Sequence, residues 1–522
     1  MSTHTGRSVE QPNTRKEERF VQTEFAAGRF EPSLLIDGKL VQARSGRTFA
    51  DVDPYRETVI VHVPDAGVED VEDAVNSAQR AFARTGWAQD HQLRGRCLRQ
   101  LQDALQRHIE DLREILIAEV GCPIKMTRAV QLDMPVAELS DSAVLAETYP
   151  FARELAPHAS MVPASARLLI REPWGVAGLI TPYNYPIQQL CYKVGPALAA
   201  GNTVVLKPSP LTPLSSLLVA RLVAEETEIP AGVLNIITSA DPAVGKALVS
   251  HPDVQMIHFT GSTPVGKQIM VSAAAGVKKV ALELGGKSAN IVLDDADIEA
   301  VTRFNVERMA RHSGQACTNL TRLVVPKTLY GEALEVAADH APQVRWGDPR
   351  DPETHMGPQI SRDNQQRVLR FIETGLTEGG RLIAGGGVPA ASHTGYFVEA
   401  TVIGDVGPDS TIAQEEIFGP VLAVIPYETD DEAIEIANNS AFGLSGAVWS
   451  ASDTRALSVA KRVRTGTMDV NGATWFAPDS PFGGMKQSGL GREWGVTGFE
   501  EFLDTRVIGY PMPSQSITNY RP

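Results

Sequence analysis

Val176-Ala177-Gly178-Leu179-Ile180-Thr181, followed by a helical stretch to Ala200 and then Thr203-Val204-Val205-Leu206-Lys207-Pro208, is the stretch that decides the fold. Both ends of it are short runs of β-branched and apolar residues, too brief for helices and closed by turn-forming residues. The pattern continues with a helix carrying Leu217, Leu218 and Leu222, a strand at Val233 to Ile237 and another at Met256 to Phe259. Strands alternating with helices at this spacing predict an α/β fold with a parallel, doubly wound sheet, whose ligands bind beyond the carboxyl ends of its strands. The chemistry is therefore expected in the turns that follow them.

Upstream, Leu34-Leu35-Ile36 before Asp37-Gly38 reads as a hairpin, and Thr58 to Val63 as a further strand. One helix is predicted from Val68, Val71, Val75, Ala78 and Phe82, and a second from Leu98, Leu101, Leu105, Leu112 and Leu116. Residues 1–33 are polar and aperiodic and read as a flexible tail. Ala156 to Arg171 has few helix signals and is expected to form an exposed strand excursion of the kind that joins subunits.

Composition narrows the class. With 522 residues, 43% of them hydrophobic, the chain is long enough for two or three cores. The formal charge of -15 argues against nucleic acid as a partner, and the longest apolar runs fall short of the roughly 18 residues of a membrane span. The first thirty residues contain no apolar signal core. Cys97, Cys122, Cys191 and Cys317 are scattered without CxxC spacing, so neither a metal site nor a disulfide framework is expected. A reducing, cytoplasmic location fits this usage.

Five turns carry candidate chemistry. Gly314-Gln315-Ala316-Cys317 sets a cysteine in a polar, glycine-containing loop, whereas structural cysteines sit among apolar neighbours. Thr181 to Pro186 places Asn184 between two aromatics and two prolines, where its amide can face a developing oxyanion; the alternative is an asparagine present for its backbone. Lys207 before Pro208 is expected to expose its ammonium at the sheet edge. Phe259 to Gly266 is a strand followed by Gly261, Ser262 and Pro264, an anion site at a helix start or simply a capped helix. Glu283, in Leu282-Glu283-Leu284-Gly285-Gly286, is a carboxylate at an apolar strand end, where desolvation raises its pKa toward a general base; a solvated edge glutamate is the alternative.

Taken in order, these segments resemble the aldehyde dehydrogenase superfamily, as do Glu415-Glu416-Ile417-Phe418-Gly419-Pro420 and Pro481 to Gly489, over roughly Leu34 to Tyr510. The resemblance implies a nucleophile at Cys317, a general base at Glu283, an oxyanion donor at Asn184 and a proton relay through Lys193 and Glu493. It implies cofactor contacts from Thr181, Tyr183, Lys207, Ser209, Gly261, Ser262, Gly266, Leu284, Glu416 and Phe418. Tyr185, Gln188, Gln189, Tyr192, Trp475, Phe476 and Phe482 would line the substrate tunnel. The implied fold is a Rossmann-like coenzyme domain (34–151 and 172–285), an α/β catalytic domain (286–487) and a small β oligomerisation element (152–171 and 504–510), whose Val507 and Ile508 would pair with a neighbouring subunit in a homodimer or homotetramer.

The implied reaction is oxidation of an aldehyde to its carboxylic acid through a cysteine thiohemiacetal and thioester, with hydride passing to NAD. Two alternatives are a coenzyme A acylating relative or thioester hydrolase, disfavoured by Glu283, and a non-catalytic nucleotide-binding protein of the same fold. Because no lysine or arginine stands among the tunnel positions, a medium-sized, largely apolar aldehyde is expected as substrate. Many NAD-selective relatives resemble Lys-Pro-x-Glu where this chain reads Lys207-Pro208-Ser209-Pro210, so acceptance of NADP is expected as well.

Overall fold

The computed structural model describes residues 30–158 and 165–511. The tail expectation, residues 1–33, lies almost wholly outside the described residues. Two large sheets organise the chain. In the first, five parallel strands run in the spatial order Leu234–Ile236, Thr203–Lys207, Val176–Ile180, Met256–Thr260 and Lys279–Glu283. The chain winds outward from Val176–Ile180 on one side, then returns to build Met256–Thr260 on the other. That reversal makes a crevice beyond the carboxyl ends of these two central strands, where doubly wound sheets bind ligands. The hairpin Leu34–Ile36 with Lys39–Val41 closes one edge, turning through Asp37 (φ 55°) and Gly38 (φ 72°), and the antiparallel strand Gly489–Leu490 closes the other.

The second sheet has seven strands, in the order Arg381–Ala384, Thr401–Gly404, Val421–Tyr427, Leu320–Pro326, Ser288–Val292, Gly446–Trp449 and Asp469–Val470, all parallel except the first. Each sheet has apolar clusters on both faces. Leu98, Leu179, Leu206 and Leu217 belong to one side of the first sheet, and Val71, Val205, Ile257 and Leu282 to the other. The burial of near-continuous Val, Ile and Leu runs explains why these strands read as unbroken apolar segments instead of alternating ones.

One sequence expectation changes. The helix carried from Leu98 to Leu116 is two helices, His91–Arg107 and Ile109–Val120, separated at His108, whose backbone (φ -104°, ψ 22°) leaves the helical range. The leucine spacing persists across the break because both pieces face the same core. The strand excursion consists of Ala152–His158 and Ser165–Pro173, and the terminal strand Leu503–Pro511 pairs along its whole length with Ser165–Pro173 of its own chain. Val507 and Ile508 are exposed on this edge strand. Among the described residues, no helix is long and apolar enough to cross a membrane.

The helix Pro186–Ala200 joins the core to the crevice, and its far end is held by a buried arginine. Arg94 donates to the carbonyls of Ala199 (2.9 Å), Trp87 (3.0 Å) and Ala88 (2.7 Å). Burial pushes its pKa down to about 10, a measure of how little solvent reaches it. Arg94→Leu would leave three carbonyls short of donors, and we expect a loss of roughly 2–4 kcal/mol in equilibrium unfolding. A change below about 0.5 kcal/mol would show that water replaces the guanidinium.

Candidate active site

A cavity of about 920 Å³ opens between the two sheets, at the crevice the strand order creates. Its wall includes the carboxyl-end turns of Val176–Ile180, Thr203–Lys207, Met256–Thr260 and Lys279–Glu283 from one sheet and the loop carrying Cys317 from the other. Residues distant in sequence therefore meet because each follows a strand end.

The cysteine loop is shaped by an unusual backbone. His312 (φ 53°), Ser313 (φ 57°) and Gly314 (φ 76°) are three consecutive left-handed residues, a conformation that costs non-glycine residues energy and persists only when neighbours enforce it. The neighbours are visible. Ser313 Oγ donates to the Gly357 carbonyl (2.5 Å), Gln359 Nε2 donates to the Ser313 carbonyl (2.6 Å), and the Ile360 N–H donates to Gln315 Oε1 (2.9 Å). Added Cβ atoms would lie 2.0 Å from the Gly419 carbonyl carbon at Gly314 and 2.4 Å from the Cys317 carbonyl oxygen at Gly286, so both glycines are required by close approach.

Asn184 is held against this loop. Its Nδ2 donates to the Gln315 carbonyl (2.8 Å), while its own carbonyl accepts from Gln131 Nε2 and His312 Nε2, both at 2.8 Å. One of its two amide hydrogens is thus spent on positioning, and the other remains for a ligand. Gln131 comes from a single π-type turn, Thr127–Gln131, which adds a third element to the anchor.

Glu283 ends its strand with 2% of its surface exposed, which settles its alternatives in favour of a desolvated carboxyl. Burial, and then the negative charge of Glu493, push its pKa up to about 8. Its side chain lies against Cys317, whose thiol is held well above its ordinary range by burial and by that carboxyl. The sulfur lies deep within the fold yet is partly accessible through the cavity. Cys97, Cys122 and Cys191 are buried and their thiols also pushed up by burial, as expected of packing residues.

Behind Glu283, Lys193 and Glu493 form a buried ion pair, and the Lys193 ammonium also donates to Thr260 Oγ1 (2.7 Å) and contacts His258 Nδ1 (3.0 Å). Neither Lys193 nor Glu493 lines the cavity. Thr260 ends the strand that runs beside that of Glu283, so the network reaches the carboxyl's surroundings from within the protein.

The groups suited to a nucleotide lie at the other end. Lys207 is only 7% exposed, a correction to the expected solvent-facing ammonium; burial pushes its pKa down to about 8, and its nearest partner is the Pro208 carbonyl at 3.4 Å. Ser262 caps the helix Thr263–Ala274 with no side-chain capping bond, so its hydroxyl and the helix's first N–H groups are open to an anion. Thr181 Oγ1 is buried without a partner, and Ser209 Oγ accepts from the Leu211 N–H (3.2 Å). Glu416 accepts from the Gly286 N–H (2.9 Å), and Phe418, left-handed at φ 58°, meets Tyr183 edge-on at 5.9 Å. Gly261 and Leu284 are also in the wall. A buried cation, a free helix start and unpartnered hydroxyls suit phosphates and ribose.

Several expected residues stand elsewhere. Gly266 is outside the wall and packs under Leu284, which a Cβ would meet at 2.6 Å. Tyr192 is also outside; it bonds Glu138 and backs onto Trp494. Tyr185 is in the wall, as is Gln188, whose amide is committed to the Val130 carbonyl (2.8 Å). Trp475, Phe476 and Phe482 do line the cavity, joined by Trp494, which stacks on Phe482 (5.0 Å) and Trp475 (5.8 Å). Trp494 went unread from sequence, although it follows Glu493 directly. Arg308 and Arg311 are in the wall too, against the expectation of a tunnel without basic residues.

The loop geometry carries a prediction. Gly314→Ala adds a methyl where backbone already stands, and we expect a loss of about 2–4 kcal/mol in unfolding. Slower alkylation of Cys317 in the folded variant should accompany it. Unchanged stability and alkylation would mean that the left-handed run does not set the thiol.

The sequence and fold can be placed among known proteins. The aldehyde dehydrogenase family model matches residues 40–508. A 3-succinoylsemialdehyde-pyridine dehydrogenase of Pseudomonas sp is 40% identical over 479 residues, spanning 91% of this chain and 98% of that protein. The betaine aldehyde dehydrogenase of Bacillus subtilis is 36% identical over 485 residues, spanning 91% and 96%. Among solved structures, aldehyde dehydrogenase C of Pseudomonas syringae, crystallised with NAD+ and octanal, superposes with a TM-score of 0.86 at 39% identity, covering 92% of this chain and 98% of that one. Betaine aldehyde dehydrogenase of Staphylococcus aureus with NAD+ gives 0.89 at 33% identity, covering 96% and 98%. With a family model spanning most of its length and relatives at this identity, the chain belongs to the aldehyde dehydrogenase family.

Proposed function

We propose that this protein oxidises an aldehyde to the carboxylic acid with NAD, using Cys317 as nucleophile and Glu283 as general base. The observation that carries the reading is the meeting of a partly accessible thiol with a buried carboxyl of raised pKa in one cavity, beside nucleotide-suited groups. When bound, NAD supplies the hydride acceptor; Lys207, Ser262, Glu416 and Phe418 would hold it.

Glu283 removes the thiol proton, for which a pKa near 8 suits it better than an ordinary carboxylate would. The Cys317 sulfur then attacks the aldehyde carbon, and the free hydrogen of the Asn184 amide, with the Cys317 N–H, stabilises the oxyanion. Loss of hydride from that carbon leaves a thioester on Cys317. Glu283 takes a proton from water to release the acid, and the Lys193–Glu493–Thr260 network carries protons away from the carboxyl. This base argues against coenzyme A as the acyl acceptor. A cytoplasmic location and a homo-oligomer joined along the edge strand Leu503–Pro511 complete the proposal; we read the first sheet with its helices as the coenzyme domain and the second as the catalytic domain.

Incubation with NAD and an aldehyde panel, with and without coenzyme A, tests the reading: reduced nicotinamide and free acid should form without coenzyme A. Cys317→Ala should abolish both, and steady turnover by that variant would refute the nucleophile. Because burial stabilises the protonated carboxyl, acid release should rise roughly tenfold per pH unit below the Glu283 pKa of about 8 and flatten above it. A release rate flat from pH 6 upward would exclude Glu283 as the base.

NADP should also be accepted, since Pro210 puts no carboxylate in the cavity wall to repel a 2′-phosphate, and Asp65, the carboxylate that acts on Lys207, is not part of that wall. Pro210→Glu should raise the ratio of kcat/KM for NAD over NADP. A wild-type preference for NAD above roughly a thousandfold would place the discrimination elsewhere.

A further inference from the structure

Arg308 sits in the last turn of the helix Ile298–Ala310, and Arg311 is the first residue beyond it. Three positions apart, they share a helix face, and both reach the wall of the cavity that contains Cys317. Arg94, Arg322 and Arg367 bond backbone carbonyls, and other arginines in this protein form ion pairs. Arg113 is paired with Glu110 and Asp133, Arg303 with Glu299 and Asp339, and Arg455 with Asp294, Asp295 and Asp430. Arg308 and Arg311 have no ion-pair partner among the described residues, and Arg308 Nε is buried without an acceptor.

The facing groups do not remove this excess of positive charge. Asp469 lies near Arg308 and offsets part of its charge without forming an ion pair with it; its Oδ1 accepts the Trp475 N–H (3.3 Å), and the Tyr185 phenol and Cys317 are also near. Favourable interaction with the helix C-terminus explains basic residues in a last turn, but it is satisfied at an exposed surface and supplies no reason to bury a guanidinium in a cavity. Two half-buried cations beside the aromatic end of the cavity, in a chain of formal charge -15, repel one another until an anion arrives.

We propose that Arg308 and Arg311 form an anion-recognition subsite, and that the substrate is an aldehyde bearing a carboxylate at the end remote from the carbonyl. The aromatic wall of Trp475, Phe476 and Phe482 packs the intervening chain, while the guanidiniums bond the carboxylate and fix the aldehyde carbon at Cys317. This rests on the proposed role of Cys317, and it replaces the apolar substrate expected from sequence.

The test compares kcat/KM for an ω-carboxylated aldehyde of five or six carbons with that for its methyl ester. The wild type should favour the acid by roughly ten- to hundredfold, the worth of hydrogen bonds to a charged group. Arg308→Met and Arg311→Met should collapse the ratio toward one, mainly by raising KM for the acid, and Arg308→Lys should recover part of it. Equal use of acid and ester by the wild type, or equal loss for both in the variants, would overturn the proposal.

A second measurement needs neither turnover nor variants. A dicarboxylic acid of matching length should slow iodoacetamide alkylation of Cys317 in the wild type, whereas its dimethyl ester should not. Protection without oxidation of any aldehyde would refute the proposed activity and keep the subsite. Oxidation with no difference between acid and ester in either assay would refute the subsite and keep the activity.

Discussion

Two acids, Glu283 and Cys317, lie buried against each other, and the rest of the site follows from how they are held there. Burial raises the cost of ionising both, and the Glu283 carboxyl raises it further for Cys317, whereas the hydrogen bond with the thiol eases ionisation of Glu283. The result is a carboxyl whose pKa, pushed up to about 8, lies near neutrality instead of far below it. Such a pair is stable only if the fold supplies the strain and the packing that press it together. Three left-handed residues at 312–314, the glycines at 286 and 314 and the anchored carbonyl of Asn184 supply them.

The two sheets divide the labour. Lys207 and Glu283 end parallel strands of the first sheet, Thr181 and Ser262 come just after two others, and all share one rim because such strands end on one side. The second sheet brings the thiol from the opposite direction, and the cavity is the gap between them. The Lys193–Glu493 pair acts on Glu283 from the helix Pro186–Ala200 and from the segment after Gly489–Leu490, which returns to pair with the strand of Glu283. A segment near the end of the chain thereby reaches a carboxyl that precedes it by about two hundred residues.

How much of this was legible in the sequence depends on the kind of signal. The parallel strands were, because their apolar runs are bounded by turn residues, and so were the turns at Asn184, Ser262, Glu283 and Cys317, which sit where strands end. The arginines were not: helix periodicity places Arg308 and Arg311 on one face but not against which cavity that face is set. Trp494 was missed because it enters the aromatic cluster through a backbone of φ 63°, which no side-chain pattern announces. The burial of Lys207 was misjudged because the packing that encloses it comes from distant segments. The break at His108 was hidden by leucine spacing that both helices satisfy.

The central claim is that Cys317 carries the acyl group and Glu283 releases it. The most direct measurement is peptide mass analysis of the Glu283→Gln protein after brief exposure to a good aldehyde substrate and NAD, alongside the amount of reduced nicotinamide formed. The account predicts an acyl adduct on the peptide containing Cys317 and about one reduced nicotinamide per site. An adduct on Cys97, Cys122 or Cys191, or rapid turnover with no adduct at all, would contradict it.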